Sequence, residues 1–374
     1  MTVAYAPRSL DRDAPFKKEN MSATPRKSIR FSLFDWLDES GRGYAQTYDE
    51  RLRLLEFADG AGYYSYLLAE HHGTSLSTTP SPSLFLCAAA QRTKQLRLGA
   101  LTWLLPLYNP LRLLEELCML DQLCHGRLEL GISRGSSPHE RARFSVSDEE
   151  ARPRFEEVLK LLVMGFTKGE LNLDGKYYQY KGLKTRFRPH QQPYPPMWFP
   201  TSNASSIPWI AAQGLNIVMS LLHSPTFEKL CECMALYHKE YAAHHNDPGR
   251  INGHVSDPEI AFTTHVYVAD TDAKAREQAG AGYMQFNENF TRRYVDIGQA
   301  GKYAHRADFG KLVADGKILC GSPDTVRKAL ERMIPAARVN HFIGAFTFGS
   351  LTPEQTQRSV DLFAREVMPA FASS

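Results

Sequence analysis

The 374-residue sequence predicts an α/β fold, a single-domain (β/α)8 TIM barrel with insertions at its rim. Eight short apolar runs alternate with amphipathic helical stretches from residue 28 onward, which is the pattern of repeated strand and helix units. No linker rich in Gly, Ser or Pro divides residues 28–374. Eight undivided units favour one closed parallel barrel over two open sheets.

Each predicted strand is a short run of apolar residues that ends at polar or turn-forming residues. The eight predicted strands are Ile29–Phe34, Tyr63–Ala69, Leu96–Trp103, Arg127–Ser133, Met197–Pro200, Ile217–Ser220, Ile260–Ala269 and His341–Phe346. Active sites of such barrels lie at the carboxyl ends of the strands. The residues that follow each strand are therefore the first candidates for a functional site.

The predicted helices repeat apolar positions at the 3.6-residue period. They are Tyr48–Ala58, Ser83–Arg92, Leu111–Cys124, Arg152–Phe166, Ala204–Gln213, Pro225–His244 and a last helix with Val360, Phe363, Ala364, Val367, Met368 and Phe371 on one face. The Tyr-rich segment Tyr177–Phe187 predicts a hairpin. Arg134–Ala151 and Tyr283–Gly316 predict long rim loops, the second followed by a helix to Pro335. Such loops act as lids or pack against a partner, and the sequence leaves both roles open.

The charge and hydropathy patterns exclude two classes of partner. The chain has 44 basic and 41 acidic side chains, and the basic ones form no cluster, so we expect no nucleic-acid partner. No apolar run approaches the ~20 residues of a membrane span, and the N-terminus lacks the apolar core of a secretory signal. We therefore expect a cytoplasmic protein without membrane association.

The cysteines and the N-terminal segment give weaker indications. Six cysteines show no C-x-x-C spacing and lie among apolar residues, which favours small core residues in a reducing compartment and no metal site. Residues 1–27 are polar and aperiodic, so they predict a flexible N-terminal arm outside a barrel domain of residues 28–374. The arm is either an unstructured tail or an extension that wraps a partner subunit.

Candidate catalytic groups follow the second predicted strand. Glu70, His71 and His72 stand there in sequence, and histidine exchanges protons near neutral pH more readily than other side chains. Successive residues of an extended chain point to opposite sides, so we expect one histidine to face the cavity. The alternative is that both histidines are structural residues of the rim.

A candidate anion site follows the fourth and fifth strands. Arg134 ends the fourth strand beside Gly135, and a guanidinium suits a phosphate, although a rim salt bridge is the alternative. Four polar residues lead from the fifth strand into a helix: Ser202, Asn203, Ser205 and Ser206. They either cap that helix or bind an anion. Asn109 follows the third strand and offers an amide at the barrel mouth, but Asn before Pro is also common in turns.

Several ordered motifs between Ile29 and Phe371 match one known family. These stretches are Ala69–His72, Gly126–Gly135, Thr201–Gly214, Gly321–Pro323 and Glu366–Pro369. In them the sequence resembles the bacterial luciferase-like flavin monooxygenases. The resemblance implies a (β/α)8 barrel that binds reduced FMN (FMNH2), which agrees with the fold and the anion site expected above.

The resemblance also implies roles for individual positions. His71 matches the histidine that assists flavin–oxygen chemistry, with Glu70 and His72 beside it. Arg134 matches the arginine that binds the flavin phosphate. The other implied cofactor residues are Ser202, Asn203, Ser205 and Ser206 at the phosphate, Leu101 and Thr102 under the isoalloxazine ring, often through a cis peptide, and Asn109 where luciferase has a histidine.

The implied activity is that of a two-component monooxygenase. A separate flavin reductase supplies FMNH2, which reacts with O2 to give a flavin hydroperoxide that oxidises a small organic substrate. The alternatives are a deazaflavin-dependent hydride transfer and a non-catalytic flavin-binding subunit. Members commonly pair, so a homodimer is expected. Ser133 occupies the position of luciferase's reactive cysteine, so thiol sensitivity is not expected. Asn109 stands in place of a histidine and the substrate loops show no likeness to luciferase, so light emission from an aldehyde substrate is not expected either.

Overall fold

The structure, a computed structural model, describes residues 28–295 and 298–372. The predicted N-terminal arm, residues 1–27, lies outside the described residues. Within the described part, eight parallel strands close into a barrel, which confirms the predicted fold.

All eight predicted barrel strands are present, and their bounds agree with the prediction within two residues. The strands of the described chain are β1 (Arg30–Asp35), β2 (Ser65–Leu68), β3 (Arg97–Leu104), β4 (Leu128–Ser133), β5 (Glu170–Asp174), β6 (Gln179–Lys184), β7 (Met197–Pro200), β8 (Asn216–Ser220), β9 (Ile260–Val268), β10 (Leu319–Gly321) and β11 (His341–Ala345). Strands β5 and β6 form an antiparallel hairpin, and β10 pairs with the outer part of β9. The hairpin was predicted correctly in kind, but it begins seven residues earlier than the sequence indicated.

Helices surround the barrel and connect its strands. They are α1 (Tyr44–Gly60), α2 (Pro82–Arg92), α3 (Pro110–Leu123), α4 (Pro138–Arg143), α5 (Asp148–Lys168), α6 (Ile207–Ala212), α7 (Phe227–His244), α8 (Asp272–Val295), α9 (Phe309–Ala314), α10 (Pro323–Ala337) and α11 (Pro353–Leu362). Two 3-10 segments matter for the site, Ala204–Ser206 and Ala300–Ala307. A π-helical turn, Phe363–Val367, continues α11 and buries Phe363 and Val367 as predicted.

The order of strands around the barrel decides which loops meet at its mouth. The ring runs β1, β2, β3, β4, β7, β8, β9 and β11, and β11 returns to β1. Leu130 of β4 pairs with Met197 of β7, so the residues that follow these two strands are neighbours at the mouth. All barrel strands are parallel, and their carboxyl ends therefore open on one face.

Side chains fill the barrel near the amino ends of its strands. The buried Glu129 carboxylate accepts a hydrogen bond from Nε1 of Trp198 at 2.6 Å and pairs with Arg97. Nearby, the buried His341 ring lies 2.6 Å from the Ser32 hydroxyl. Buried polar groups are stable when they are paired in this way. The interior is therefore a packed core, and any cavity must lie toward the carboxyl ends.

The predicted rim loop Tyr283–Gly316 is wrong. Its first part belongs to the 24-residue helix α8, and its later part contains the Ala300–Ala307 segment and α9. Buried aromatic residues of α8, among them Tyr283, Phe286 and Phe290, build a second apolar cluster against the barrel mouth. Likewise, the predicted loop Arg134–Ala151 contains α4. The rim insertions are therefore helical, and we call α8 together with Ala300–Ala307 the lid.

Of the helices in the described chain, none has the length and apolarity that crossing a membrane requires. All six cysteines carry free thiols, and four of them are buried, which fits the predicted core positions: Cys118, Cys124, Cys233 and Cys320. The other two, Cys87 and Cys231, are half-buried.

Candidate active site

A cavity of about 1080 Å3 opens at the carboxyl ends of the barrel strands. Its wall takes residues from the ends of β1, β2, β3, β4, β7 and β8 and from the lid. This is the face on which the barrel fold displays functional groups. The volume exceeds the ~300–1,000 Å3 typical of a site for one drug-sized ligand, so it has room for a large ligand and a smaller one.

The residues of the predicted anion site lie together on this cavity. Five of the predicted residues line it: Arg134, Ser202, Asn203, Ser205 and Ser206. The pairing of β4 with β7 brings Arg134 next to the serine-rich segment. Arg134 forms no ion pair within the described residues, so its guanidinium is available to a ligand. Lys160 of α5 also lines the cavity, a basic residue that sequence reasoning missed.

The serine-rich segment caps its helix as well. The Asn203 side chain accepts a hydrogen bond from the Ser205 N–H at 3.0 Å, and the Thr201 hydroxyl accepts one from the Asn203 N–H. Capping uses the Asn203 oxygen and leaves its amide donors unused. The two interpretations left open by the sequence are therefore compatible, because the same residues cap the turn and face the cavity.

The end of β3 lies against the end of β4. Leu101 and Thr102 line the cavity and are joined by a cis peptide bond, as the resemblance implied. The Thr102 hydroxyl lies 2.5 Å from the Ser133 hydroxyl. Gly131 permits this close approach, because a Cβ atom there would collide with the carbonyl oxygen of Ala100. The third and fourth strands therefore present polar hydroxyls beside an apolar leucine surface.

The structure separates the Glu70-His71-His72 triplet. His71 lines the cavity, whereas His72 lies outside its lining with Nε2 2.8 Å from Oε1 of Glu70. The buried Glu70 carboxylate also accepts a hydrogen bond from the Leu104 N–H at 2.9 Å. Burial raises the pKa of Glu70, and the hydrogen bond from His72 partly opposes that shift. Glu70 also lines the cavity, and it forms a pair with the half-buried His72 that supports β3. Of the two histidines, only His71 lines the cavity.

His71 has two partners that the sequence did not reveal. Its Nδ1 atom lies 3.1 Å from Oε1 of Glu140 on α4, and Nη1 of Arg293 on α8 lies 3.2 Å from the same oxygen. Burial disfavours the Glu140 carboxylate, but the charges and hydrogen bonds of His71 and Arg293 outweigh burial and lower the pKa of Glu140. Nη1 of Arg293 also lies 3.4 Å from Nδ1 of His71. Both partners therefore engage Nδ1, which leaves Nε2 of the ring for proton exchange with a ligand.

Asn109 does not belong to this site, and its predicted cofactor role is corrected. It is exposed, lies outside the cavity lining and forms the N-cap of α3, where its side chain accepts a hydrogen bond from the Arg112 N–H at 3.1 Å. Asn before Pro is a frequent start of a helix because the side chain satisfies an orphan N–H. The capping role of Asn109 explains the motif fully.

The lid and His223, which follows β8, together form one wall of the cavity. We call this the lid wall and define it by its residues: His223, Phe290, Arg293, Tyr303 and, behind them, Arg306. His223 follows β8 and exposes its ring to the cavity. Its depth and the positive charges of Arg306 and Arg293 lower the pKa of His223 to about 3, so the ring is neutral at pH 7.

Across the described residues, no group of three or more His, Cys, Asp or Glu side chains is placed to hold a metal ion.

Comparison with known proteins agrees with this geometry. Residues 29–340 match the family model of luciferase-like monooxygenases. Uncharacterized protein y4wF of Sinorhizobium fredii is 44% identical over 189 residues, which is 50% of this chain and 55% of that protein. The match thus spans about half the length of that relative.

Two other comparisons extend over nearly the whole chain. The oxygenase component of the flavin-dependent trigonelline monooxygenase of Acinetobacter baylyi is 27% identical over 367 residues, covering 92% of this chain and 96% of that protein. The crystal structure of monooxygenase RslO1 from Streptomyces bottropensis superimposes with a TM-score of 0.79 at 25% identity, covering 92% of this chain and all of that one. With its barrel, its cavity and the match over most of its length, the chain belongs to the luciferase-like monooxygenase family.

Proposed function

We propose that this protein is the oxygenase component of a two-component monooxygenase that uses FMNH2 and O2 to oxidise a small organic substrate. The observation that carries the proposal is the meeting of Arg134 with the Ser202–Ser206 segment on one large cavity that also contains His71. A flavin mononucleotide needs an anion site, an apolar wall and a nearby proton-transferring group. The cavity supplies all three.

The residues of the cavity fit FMN. Arg134 has no acidic partner among the described residues, and a guanidinium without a carboxylate suits a phosphate. Leu101, Phe199 and Val218 give the cavity apolar surface for a flat ring. We assign the phosphate to Arg134 and the segment Ser202–Ser206, with the ring against Leu101 and Thr102. This is the cofactor arrangement that the resemblance implied, without Asn109.

When bound, FMNH2 supplies the electrons with which O2 is activated and one oxygen atom is transferred to the substrate. The chain's part in that reaction is to hold the ligands, exclude water and move protons. We assign proton transfer to Nε2 of His71, because Glu140 orients the ring through Nδ1. The lid excludes water by covering the mouth with Phe290, Tyr294 and Tyr303. Glu70 and His72 act as positioning residues beneath His71.

The two-component arrangement requires a separate flavin reductase. The relative from Acinetobacter is named an oxygenase component, which supports a reductase as the partner of this chain.

We also propose a homodimer. Leu84 of α2 is 75% exposed, and Met119 and Leu123 of α3 are 51% and 42% exposed on the adjacent helix. A dimer interface of this kind buries apolar side chains from two copies of the chain. Leu84→Glu should therefore convert the dimer to a monomer, which sedimentation velocity measures as a lower sedimentation coefficient.

The activity is tested by mixing protein-bound FMNH2 with O2 and measuring the rate of flavin oxidation and the yield of hydrogen peroxide. We expect the bound flavin to release peroxide more slowly than free FMNH2, and His71→Ala to bind FMNH2 normally while releasing more peroxide. Compounds that lower the peroxide yield are then screened for uptake of one 18O atom from 18O2. Tighter binding of a reduced deazaflavin than of FMNH2 would contradict the assigned cofactor.

A further inference from the structure

Arg306 is a buried cation that has no carboxylate partner among the described residues. Its side chain is 1% exposed, and its Nε and Nη2 atoms have no hydrogen-bond acceptor in the described part of the chain. Its Nη1 atom lies 3.4 Å from Nε2 of His223, which lines the cavity. Buried arginines are normally paired with acids, because an unpaired buried charge costs several kcal/mol.

Aromatic rings account for part of the stability of this charge. The Arg306 guanidinium carbon lies 3.8 Å from the centroid of the Phe290 ring, and that of Arg293 lies 4.7 Å from the same centroid. A cation over an aromatic face is stabilised by less than the cost of desolvating a guanidinium. Burial lowers the pKa of Arg306, and the neighbouring groups that act on this pKa next are Tyr283, Arg293 and Tyr303, none of which is a carboxylate.

The charges around the lid wall do not balance. Glu140 is the carboxylate that pairs with Arg293, and it is also hydrogen-bonded to His71. His223 is neutral, and burial lowers the pKa of His265 well below its ordinary value, so that ring is neutral too. The Nε2 atom of His265 and the Nε atom of Arg293 also lack partners among the described residues. Arg306 therefore contributes a positive charge and unused donors beside the cavity.

We propose that the lid wall binds the anionic group of the substrate, and that the substrate is a small aromatic carboxylate or a compound of the same shape and charge. This inference rests on the proposed function, since it places the flavin phosphate at Arg134 and the substrate under the lid. The carboxylate meets His223 and Arg293 directly and is stabilised by the charge of Arg306 behind them. The rings of Phe290 and Tyr303 supply the apolar surface against which an aromatic body packs.

The lid wall and the Arg134 cluster stand on different elements. Arg134 and the segment Ser202–Ser206 follow β4 and β7, whereas Arg293 and Arg306 belong to the lid. Each anion site therefore has its own cation, and a flavin with a carboxylate substrate fills both. A substrate without charge would leave Arg306 unpaired in the closed complex.

The test is calorimetric binding of benzoate and of benzamide, its neutral analogue of similar shape, to the protein with and without FMN. We expect the wild type to bind benzoate at least tenfold more tightly than benzamide. Arg306→Met should remove that preference without changing the affinity for benzamide or FMN, and Arg306→Lys should keep part of it. Arg358→Met, a change at an exposed arginine outside the cavity, is the matched control.

Equal affinities for benzoate and benzamide in the wild type, or no measurable binding of benzoate, would overturn the inference. If Arg306→Met does not fold, as judged by its near-ultraviolet circular dichroism, Arg293→Gln gives the same comparison. If Arg306→Met weakens FMN as strongly as Arg134→Ala does, the phosphate lies under the lid and this inference fails while flavin binding stands. If the wild type prefers benzoate but binds no FMN, the proposed function fails instead.

Discussion

Nδ1 of His71 lies 3.1 Å from Oε1 of Glu140, although 69 residues separate the two in the sequence. His71 follows β2, and Glu140 stands on α4 in the insertion after β4. Arg293 from the lid joins the pair through Glu140. One carboxylate thus links a residue of the barrel rim to the lid, and the same contact orients the histidine that we assign to proton transfer.

Glu140→Gln should impair proton transfer without weakening the flavin. The glutamine side chain still reaches His71 but carries no charge, so it no longer stabilises the positive charge that the ring gains when it takes up a proton, and the rate should drop by about 10- to 100-fold. The measurement is the pH profile of flavin-dependent substrate oxidation. We expect a lower rate wherever the pH lies above the lowered pKa of Glu140, because the wild-type carboxylate is ionised there, with unchanged FMN affinity.

The matched control is Glu149→Gln, at an exposed position of α5. It should leave the pH profile where it is. Glu140→Asp should recover part of the rate, because a carboxylate is restored. A Glu140→Gln enzyme with the wild-type profile would show that Glu140 holds α4 in place and does not act through His71.

Asp38 should make the protein less stable as the pH rises toward 8. Burial raises the pKa of Asp38 to about 7 from 3.8, although hydrogen bonds from Asn289 and the Gly349 N–H oppose the shift. Between these two pKa values the folded protein binds a proton that the unfolded chain does not, so stability falls as pH rises through that window. Above that pH window, the free energy needed to ionise the buried Asp38 carboxyl group destabilises the folded protein in full.

Asp38→Asn should remove this dependence, because one amide oxygen still accepts from Asn289 and Gly349. We expect the variant to be more stable than the wild type at pH 8 by on the order of 2–4 kcal/mol, and equally stable near pH 4. Urea denaturation at the two pH values measures the difference. This expectation is contradicted if the free energy of unfolding of the wild type, relative to that of Asp38→Asn, rises from pH 4 to pH 8.

Thiol reagents should leave the wild type functional. None of the six cysteines lines the cavity, and burial raises the pKa of the half-buried Cys87 and Cys231, which reduces their thiolate fraction. Ser133→Cys places a thiol at the cavity beside Thr102. After N-ethylmaleimide treatment, the variant should lose FMN binding by fluorescence titration while the wild type keeps it. Equal loss in both proteins would mean that a native cysteine controls the site.

The barrel strands were predictable because each is a short apolar run with turn residues at its ends. Helix α8 was not, because Gly280, Gly282, Asn287 and Asn289 lower its helix propensity. Tertiary packing explains why glycine and asparagine stand at these positions of α8. A Cβ atom on Gly282 would press against the Leu351 side chain, and the buried Asn289 donates a hydrogen bond to Asp38. The tertiary contacts of the lid thus override local preference.

The residues of the candidate site also fall into those that the sequence could predict and those that it could not. Arg134, His71 and the segment Ser202–Ser206 could be identified because they directly follow strands whose ends must meet. Glu140 and Arg293 could not, since they lie in insertions whose path the barrel pattern does not set. The rule that adjacent residues face opposite sides was confirmed, with His71 toward the cavity and His72 away from it.

The most direct test of the account compares FMN with riboflavin, which has the same ring and no phosphate. Both are titrated into the wild type, into Arg134→Ala and into the control Arg112→Ala, whose side chain is exposed on α3 and pairs with Glu116. Removing a charge-assisted hydrogen bond costs about 1.5–3 kcal/mol, so Arg134→Ala should weaken FMN binding at least tenfold and leave riboflavin binding unchanged. Equal affinity of Arg134→Ala and wild type for FMN, or an equal loss for riboflavin, would contradict the assigned phosphate site.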